Sequence, residues 1–260
     1  MNISILGAGA FGKALGKILQ DNQHQISYFD PIAFPQVTLA QATAQAEAIV
    51  IAIPSSILTD FMETYPTELK SIPTIIATKG LSDLALFQNF TRLSAIAGPA
   101  FAQEIISGKP ATFTASDQLD QQLFANAQIT VEVCGDLLGI LLCGSLKNLY
   151  AIGAGYFSDS ESNLASYIES AHVETKAYLQ SHGANPATAE LACGIGDLIL
   201  TCSNDTSRNL TCGKRLKTGQ SLAQITTELG TVEGVSAARR IDVKGYPLLQ
   251  KVVELVYNQN

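Results

Sequence analysis

The ten residues ISILGAGAFG at positions 3–12 constrain the fold more than any other stretch of this chain. Residues 3–6 form a short β-branched and apolar run, and an Ala/Leu/Lys pattern with helical spacing follows from Phe11 to Leu19. Strand, glycine turn and helix therefore come in immediate succession. At this spacing Gly7 permits a tight turn, Gly9 lets a pyrophosphate approach the backbone, and Gly12 lets helix pack closely on strand. The helix N-terminus, at Ala10 and Phe11, then faces the phosphates of a dinucleotide. A second strand, QISYFD, ends at Asp30, about 20 residues beyond the last glycine, where a carboxylate can accept both ribose hydroxyls of an adenosine. Such a carboxylate repels a 2′-phosphate, which favours NAD(H) over NADP(H). Asp before Pro31 is also ordinary turn chemistry, so both readings of Asp30 stand at this point.

Strand-like runs continue at 47–53, 74–78, 94–97, 111–115 and 129–134, mostly with helical patterns between them. That alternation predicts an α/β fold, a Rossmann-type doubly wound parallel sheet. From about Asp136 the texture changes to helical segments at 136–157, 164–182, 186–192, 206–217, 221–229, 233–243 and 248–258. The reading is two domains, 1–138 for dinucleotide binding and an all-helical 139–260 for substrate, with no Pro/Gly/Ser linker between them.

Composition bounds the function. With 47% hydrophobic and only 15% charged residues, the 260-residue chain reads as globular, and its net charge of −7 discourages nucleic acid and anionic membranes. An anionic substrate would need locally placed cations. Five cysteines without a CxxC pair, and no basic-then-apolar leader, point to reduced thiols in the cytoplasm. His24, His172 and His182 are too scattered for a structural zinc, so no metal is expected. The longest apolar runs, such as the one in AEAIVIAIP, read as strand-length and stop at Pro54, so no integral membrane contact is expected.

The segment GSLKNLYAIGAG at 144–155 places Lys147 and Asn148 inside an otherwise small and apolar helix. Leu142, Leu146, Leu149 and Ile152 recur at helical spacing and predict a core face, with Lys147 off that face. Cys143, Gly144, Ala151 and Ala154 share the lysine's stripe and leave room for a ligand. Spacing alone equally allows a lysine that snorkels to solvent beside a back-bonding asparagine.

The motifs GAGAFG, ATKGL, AGPAFAQEI, SLKNLYAIGAG, GIGDLILTC, SRN and VEGV, in that order, resemble those of the NAD(P)-dependent sn-glycerol-3-phosphate dehydrogenase family. The resemblance implies reduction of dihydroxyacetone phosphate to sn-glycerol 3-phosphate, which feeds phospholipid synthesis, by a Rossmann-type domain and a helical domain. It makes Lys147 the proton donor to the ketone oxygen, Asn148 a substrate-side amide, and Asp197 the carboxylate beside the ammonium. Lys79 matches the lysine that touches substrate and cofactor. Ser207, Arg208 and Asn209 match the phosphate-binding triplet, with Arg208 also on the cofactor side. Gly98 is implied on the substrate side, and Ala102 and Glu233 on the cofactor side. The triplet makes physical sense by itself, because a helix-opening S-R-N offers backbone N–H groups, a positive dipole end and a guanidinium fork.

Acid–base work near neutrality calls for a lysine brought from ~10.4 to roughly 7–8. Burial and a second cation such as Lys79 push that way, and Asp197 limits the shift. The chain also departs from the family pattern. It is trimmed after Asp30, between ATKGL and AGPAF, around Asp159 to Leu164, and after VEGV. Ala100 stands where Ser or Thr is usual, Gln103 where lysine is usual, and 158–168 lacks the usual basic residues. Two alternatives follow: a ketopantoate-type keto-acid reductase, or a non-catalytic NAD(H)-binding homologue. The helical half is compatible with a homodimer.

Overall fold

The computed structural model describes residues 1–79 and 84–258; Gly80 and Leu81 of the ATKGL motif lie outside them. The chain divides into two compact units, the first reaching Leu137 and the second running from Leu138.

The first unit is built on seven strands: β1 (Asn2–Leu6), β2 (Gln25–Phe29), β3 (Ala48–Ile51), β4 (Thr74–Ile76), β5 (Leu93–Ala97), β6 (Ala111–Ala115) and β7 (Ile129–Val133). Their order in the sheet is β2-β1-β3-β4-β5-β6-β7. The helices of this unit are α1 (Ala10–Asp21), α2 (Leu39–Thr43), α3 (Ser55–Glu63), α4 (Ala102–Ile106) and α5 (Gln118–Phe124). Strands β3 and β4 are buried along their whole length, as their continuous apolar runs AIVI and TII require of central parallel strands. Helix α1 turns Ala14, Leu15, Ile18 and Leu19 into the same core as Ile3, Ile5, Val50 and Ile75.

Because β2 and β3 lie on opposite sides of β1, the strand order reverses there, and α/β sheets bind ligands beyond the carboxyl ends of strands at such a reversal. Register sharpens the point. Leu6 pairs with both Phe29 and Ile51, so the loops opening at Gly7, Asp30 and Ala52 start side by side.

The fully parallel sheet expected from the alternation is corrected at one pair, where β6 runs antiparallel to β5. The connecting helix α4 has five residues and so rises about 7 Å, roughly half the length of a five-residue strand. The chain turns back at Gly108, whose φ is +76°, before it has travelled the length of the sheet.

The second unit is helical: α6 (Leu137–Phe157), α7 (Glu161–Ser181), α8 (Asp197–Ser203), α9 (Arg208–Lys217), α10 (Leu222–Leu229), α11 (Glu233–Ala238) and α12 (Pro247–Tyr257). The single core face expected for α6 is corrected, because residues 139–155 are buried all round. Lys147 and Asn148 are inside with the leucines, as on any helix that forms the axis of a bundle. At 21 residues α6 is also long and apolar enough to cross a membrane, so the expectation of only strand-length apolar runs is corrected too. Here that length is enclosed by protein.

Three smaller expectations shift. The 186–192 segment is a 3₁₀ turn at Pro186–Glu190, the 233–243 helix stops at Ala238, and α8 stands where the periodicity predicts no helix. Immediately before α8 the backbone forms a single π-turn, Ala192–Gly196. Helix α12 starts on Pro247 and has no cap of its own. Glu174 of α7 supplies one: its carboxylate accepts from the N–H of Leu248 at 2.9 Å and of Leu249 at 2.8 Å, while Tyr150 donates to it at 3.0 Å.

Candidate active site

In the first unit the candidate residues surround the glycine loop. Gly7 has a φ of +106°, and a Cβ there would lie 2.6 Å from the Ala52 carbonyl oxygen, so the turn admits glycine alone. Gly12 is equally constrained, since its Cβ would meet the Gly7 carbonyl oxygen at 2.0 Å. Gly9 is different: a Cβ there would meet nothing within 4 Å. Protein packing does not explain this glycine, whereas the close approach of a ligand does. Gly9 also caps α1 without a side chain, and the first turn, with Ala10 and Phe11, carries no acidic residue, so its N–H groups suit a pyrophosphate. These residues fit a dinucleotide.

Asp30 is more committed than its sequence position suggests. Its Oδ2 accepts from Ala8 N–H at 2.8 Å, and its Oδ1 accepts from Ile32 and Ala33 N–H, each at 2.9 Å. Burial pushes its carboxyl up, but the three N–H groups together with Lys13 outweigh that and hold it below the usual carboxylate range. Of about four lone-pair sites on a carboxylate, three are used. One remains on Oδ2, enough for one ribose hydroxyl rather than two.

Lys79 follows β4, and its ammonium lies over the Phe11 ring, 4.7 Å from the centroid. Gly98 lies against β6, where a Cβ would approach the Thr112 carbonyl oxygen to 2.3 Å. That glycine is needed for strand packing whatever its role toward substrate. Ala100 is 4% exposed and belongs to the apolar core, so the hydroxyl missing there would have to be satisfied inside the protein. Ala102 opens α4, and Gln103 is exposed.

In the second unit the polar candidates hold one another. Lys147 Nζ lies 2.5 Å from Asp197 Oδ2, with the side chains 4% and 2% exposed. It also donates to Thr201 Oγ1 at 3.3 Å, and that hydroxyl donates to the Asp197 backbone carbonyl. The Lys147–Asp197 contact is charge against charge, since Oδ2 accepts no well-directed hydrogen bond. Asp197 opens α8 directly after the π-turn, in which a Cβ on Gly194 would meet the Ala189 carbonyl oxygen at 2.2 Å. Cys202, fully enclosed, registers the pair: burial pushes its thiol far up, Lys147 draws it down and Asp197 pushes it up. It stays a neutral thiol.

Asn148 donates to the Gly144 carbonyl at 3.0 Å and accepts from Asn209 Nδ2 at 2.9 Å; Asn209 Oδ1 in turn accepts from Gly234 N–H at 2.9 Å. This chain of amides ties the SLKN, SRN and VEGV motifs together and brings Glu233, the first residue of α11, beside them. Ser207 caps α9 by accepting from Leu210 N–H at 3.3 Å. The N–H groups of Arg208 and Asn209 in that first turn have no acceptor within the helix. Arg208 is exposed, and among the described residues no carboxylate pairs with it.

Models of the C-terminal and N-terminal regions of NAD-dependent glycerol-3-phosphate dehydrogenase match residues 136–260 and 31–123. The chain belongs to the NAD-dependent glycerol-3-phosphate dehydrogenase family. A glycerol-3-phosphate dehydrogenase [NAD(P)+] of Pseudomonas syringae pv. tomato is 31% identical, covering 93% of this chain and 84% of that protein. The Shouchella clausii protein of the same name is 26% identical over 96% and 87%. The crystal structure of glycerol-3-phosphate dehydrogenase from Coxiella burnetii shares the fold with a TM-score of 0.88, covering all of this chain and 95% of that one at 21% identity. The Pseudomonas alignment runs to 286 positions against a chain of 260, in keeping with internal trimming relative to this dehydrogenase family.

Within that family frame, motif reading missed Thr201. It stands four residues after Asp197 in DLILT, a spacing that places its hydroxyl on the Asp197 face of a helix, and this i, i+4 relation was the available signal. Glu174 carried no local signal at all.

Proposed function

We propose that this chain catalyses the NAD(P)-dependent interconversion of dihydroxyacetone phosphate and sn-glycerol 3-phosphate, with Lys147 as the acid–base residue. The observation that carries this reading is the buried Lys147–Asp197 pair at 2.5 Å, braced by Thr201. Two opposite charges removed from water cost several kcal/mol each in desolvation, which packing alone gives no reason to accept. A positioned proton donor does.

A bound nicotinamide cofactor would supply the hydride for the ketone carbon. Lys147 gives a proton from Nζ to the ketone oxygen as that oxygen gains negative charge, and takes it back in the reverse direction. Asp197 and Thr201 fix the ammonium in position for proton transfer. Arg208, with the N–H groups of the α9 first turn, binds the phosphate, and Ser207 and Asn209 hold that turn in place. Asn148 turns its second amide N–H toward a substrate hydroxyl. Lys79, steadied on Phe11, adds positive charge, and Gly98 lets substrate approach the backbone. Gly7, Gly9, Ala10, Phe11 and Gly12 cradle the pyrophosphate, with Ala102, Arg208 and Glu233 completing the cofactor contacts.

Asp30 supports NAD(H) over NADP(H), because a carboxylate directly after β2 would repel a 2′-phosphate on an adenosine ribose bound there. A cytoplasmic setting, where the product would serve phospholipid synthesis, fits this reading. A homodimer without nucleic-acid or integral membrane contact fits the same reading.

The deciding experiment is NADH oxidation with dihydroxyacetone phosphate, with ketopantoate as control. Turnover of the phosphate ester alone is expected. Turnover of ketopantoate instead, or NADH binding with neither substrate consumed, would replace this reading by one of its alternatives.

A further inference from the structure

Gly234, the glycine of VEGV, is the second residue of α11 and lies buried against α6. A Cβ there would lie 2.6 Å from the Asn148 carbonyl oxygen and 2.7 Å from Ile152 Cδ1, so glycine alone lets the two helices come this close. At that approach the Gly234 N–H reaches Asn209 Oδ1 at 2.9 Å. Capping accounts for an acceptor at this point, because the first turn of α11 has no side-chain cap of its own. A carboxylate would serve that purpose as well, so capping does not account for an amide. Asn209 passes the bond on. Its Nδ2 donates to Asn148 Oδ1 at 2.9 Å, and Asn148 Nδ2 donates to the Gly144 carbonyl at 3.0 Å. The row therefore has a backbone group at each end, an N–H that cannot accept and a carbonyl that cannot donate. Both asparagines between them are buried. An amide can be turned end for end at little steric cost, yet here either reversal sets like against like. Reversing Asn209 brings its nitrogen against the Gly234 N–H and its oxygen against Asn148 Oδ1. Reversing Asn148 brings its oxygen against the Gly144 carbonyl and its nitrogen against Asn209 Nδ2. Each reversal leaves buried donors and acceptors unpaired.

We propose that Gly234 and Asn209 set the polarity of the Asn148 amide and are thereby positioning residues for an oxygen acceptor on the substrate. The inference rests on the reading of Asn148 as a substrate-side amide. With its polarity fixed, Asn148 keeps one amide N–H to spare at its nitrogen end, which faces Gly144, and one lone pair at its oxygen end, which faces Asn209. A ketone or phosphate oxygen has no proton to give, so Asn148 can hold it only at the nitrogen end. The same end offers nothing to an ammonium. Of the two locks on this amide, the Gly144 bond is local to α6, whereas the other comes from α11 through Asn209. The seating of α11 is thus read at Asn148 through two hydrogen bonds. Gly234 acts only through the two amides in this scheme.

Two variants disturb the row from its far end. Gly234→Ala pushes the N–H away from Asn209 and adds no charge. Asn209→Asp still accepts from the Gly234 N–H, and so still caps α11, but it turns an acceptor toward Asn148; the charge-assisted bond it draws from Asn148 Nδ2 outweighs the bond to Gly144 and reverses the amide. For each variant kcat/KM for dihydroxyacetone phosphate is measured with NADH, and thermal melting checks the fold. Losses of about tenfold are expected for Asn209→Asp and for Asn148→Leu, and of about fivefold for Gly234→Ala. The deciding measurement is the double variant Gly234→Ala with Asn148→Leu. It should lie within about twofold of Asn148→Leu alone, because the amide whose polarity was being set is gone. Losses that multiply to about fiftyfold would mean that Gly234 serves packing independently of Asn148, and they overturn the proposal. A value for Gly234→Ala or Asn209→Asp within twofold of wild type overturns it as well, since capping alone would then account for the contact. If Gly234→Ala does not fold, Asn209→Asp takes its place in the same double variant, with the same two outcomes. Failure of the underlying reading looks different, because wild type itself would then not consume dihydroxyacetone phosphate.

Discussion

Around the glycine loop of the first unit, polar groups are held by backbone: Asp30 by the N–H groups of Ala8, Ile32 and Ala33, with Lys79 resting on a ring. Around Lys147 in the second unit they are held by other side chains, Lys147 by Asp197 and Thr201, Asn148 by Asn209. The first arrangement is half open, and its tolerances are set by where a Cβ would collide. The second is closed, and its tolerances are set by charge. A cofactor that binds and leaves needs shape more than chemistry from its site. A group that moves a proton needs a fixed partner and little water.

The harshest way to break this comparison is Lys147→Met. Turnover should fall by about 10²–10⁴-fold while NADH affinity, in which Lys147 is given no part, stays the same. Near-normal catalysis in that variant would remove Lys147 from the mechanism. The same change leaves the Asp197 carboxylate buried and unpaired, so urea unfolding should show a loss of about 3–5 kcal/mol. Adding Asp197→Leu should recover part of that stability and none of the activity.

Asp120 tests whether a buried charge is tolerated in the first unit. It is fully enclosed on α5, accepts from Ser94 Oγ at 2.8 Å and leaves Oδ2 without a partner. Burial raises its carboxyl to about 7, against which the Ser94 bond pulls down. The folded state therefore binds this proton more tightly than the unfolded chain does. Stability from this group is present at acid pH and is lost as pH rises between the carboxylate value of about 4 and about 7, a change of order 4 kcal/mol. Asp120→Asn should flatten that slope and melt higher than wild type at pH 8. A variant that melts lower at pH 8 would show that the ionised carboxylate is accommodated.

Thr201→Val sharpens the comparison within the second unit. It removes one brace from the ammonium, and kcat should drop by about tenfold with KM changed less than twofold, as for a single hydrogen bond to a charged group. A change confined to KM would place Thr201 on substrate instead. Asp30→Ala should have the smallest effect. The preference for NADH over NADPH should narrow by about tenfold or less, because one lone pair remains for ribose. A native preference for NADPH would contradict the role given to Asp30.

The sequence made β1, the glycine turn and α1 legible because all three are specified by neighbours within ISILGAGAFG. Reversal of β6 was not, since it depends on how far a five-residue α4 carries the chain before Gly108 turns it. Burial of α6 on every side was hidden for another reason: periodicity vanishes when all positions are apolar, and the apparent Leu face was only the larger half of an apolar cylinder. The Lys147–Asp197 pair joins two distant segments and was accessible only through the motifs that resemble the family's. Asp30 was located correctly at the end of β2, but its three N–H bonds are set by the loop path. Nothing in the residues around Glu174 announces that it caps a helix near the end of the chain.

The π-turn at Ala192–Gly196 has a consequence for how this site could be lost or acquired. A π-turn amounts to one residue more than the α-helix would hold, and each residue of an α-helix advances the side chains by about 100° around its axis. Deleting one residue there would let the turn relax into regular helix and rotate α8 by that angle relative to what precedes it. Asp197 would swing off Lys147, and an outward side chain such as that of half-exposed Ile199 would be carried toward the protein. The fold would keep every helix and lose its charge pair. A single-codon insertion or deletion, with no change in any of the residues named as chemical, is therefore enough to part Lys147 from Asp197 on this scaffold.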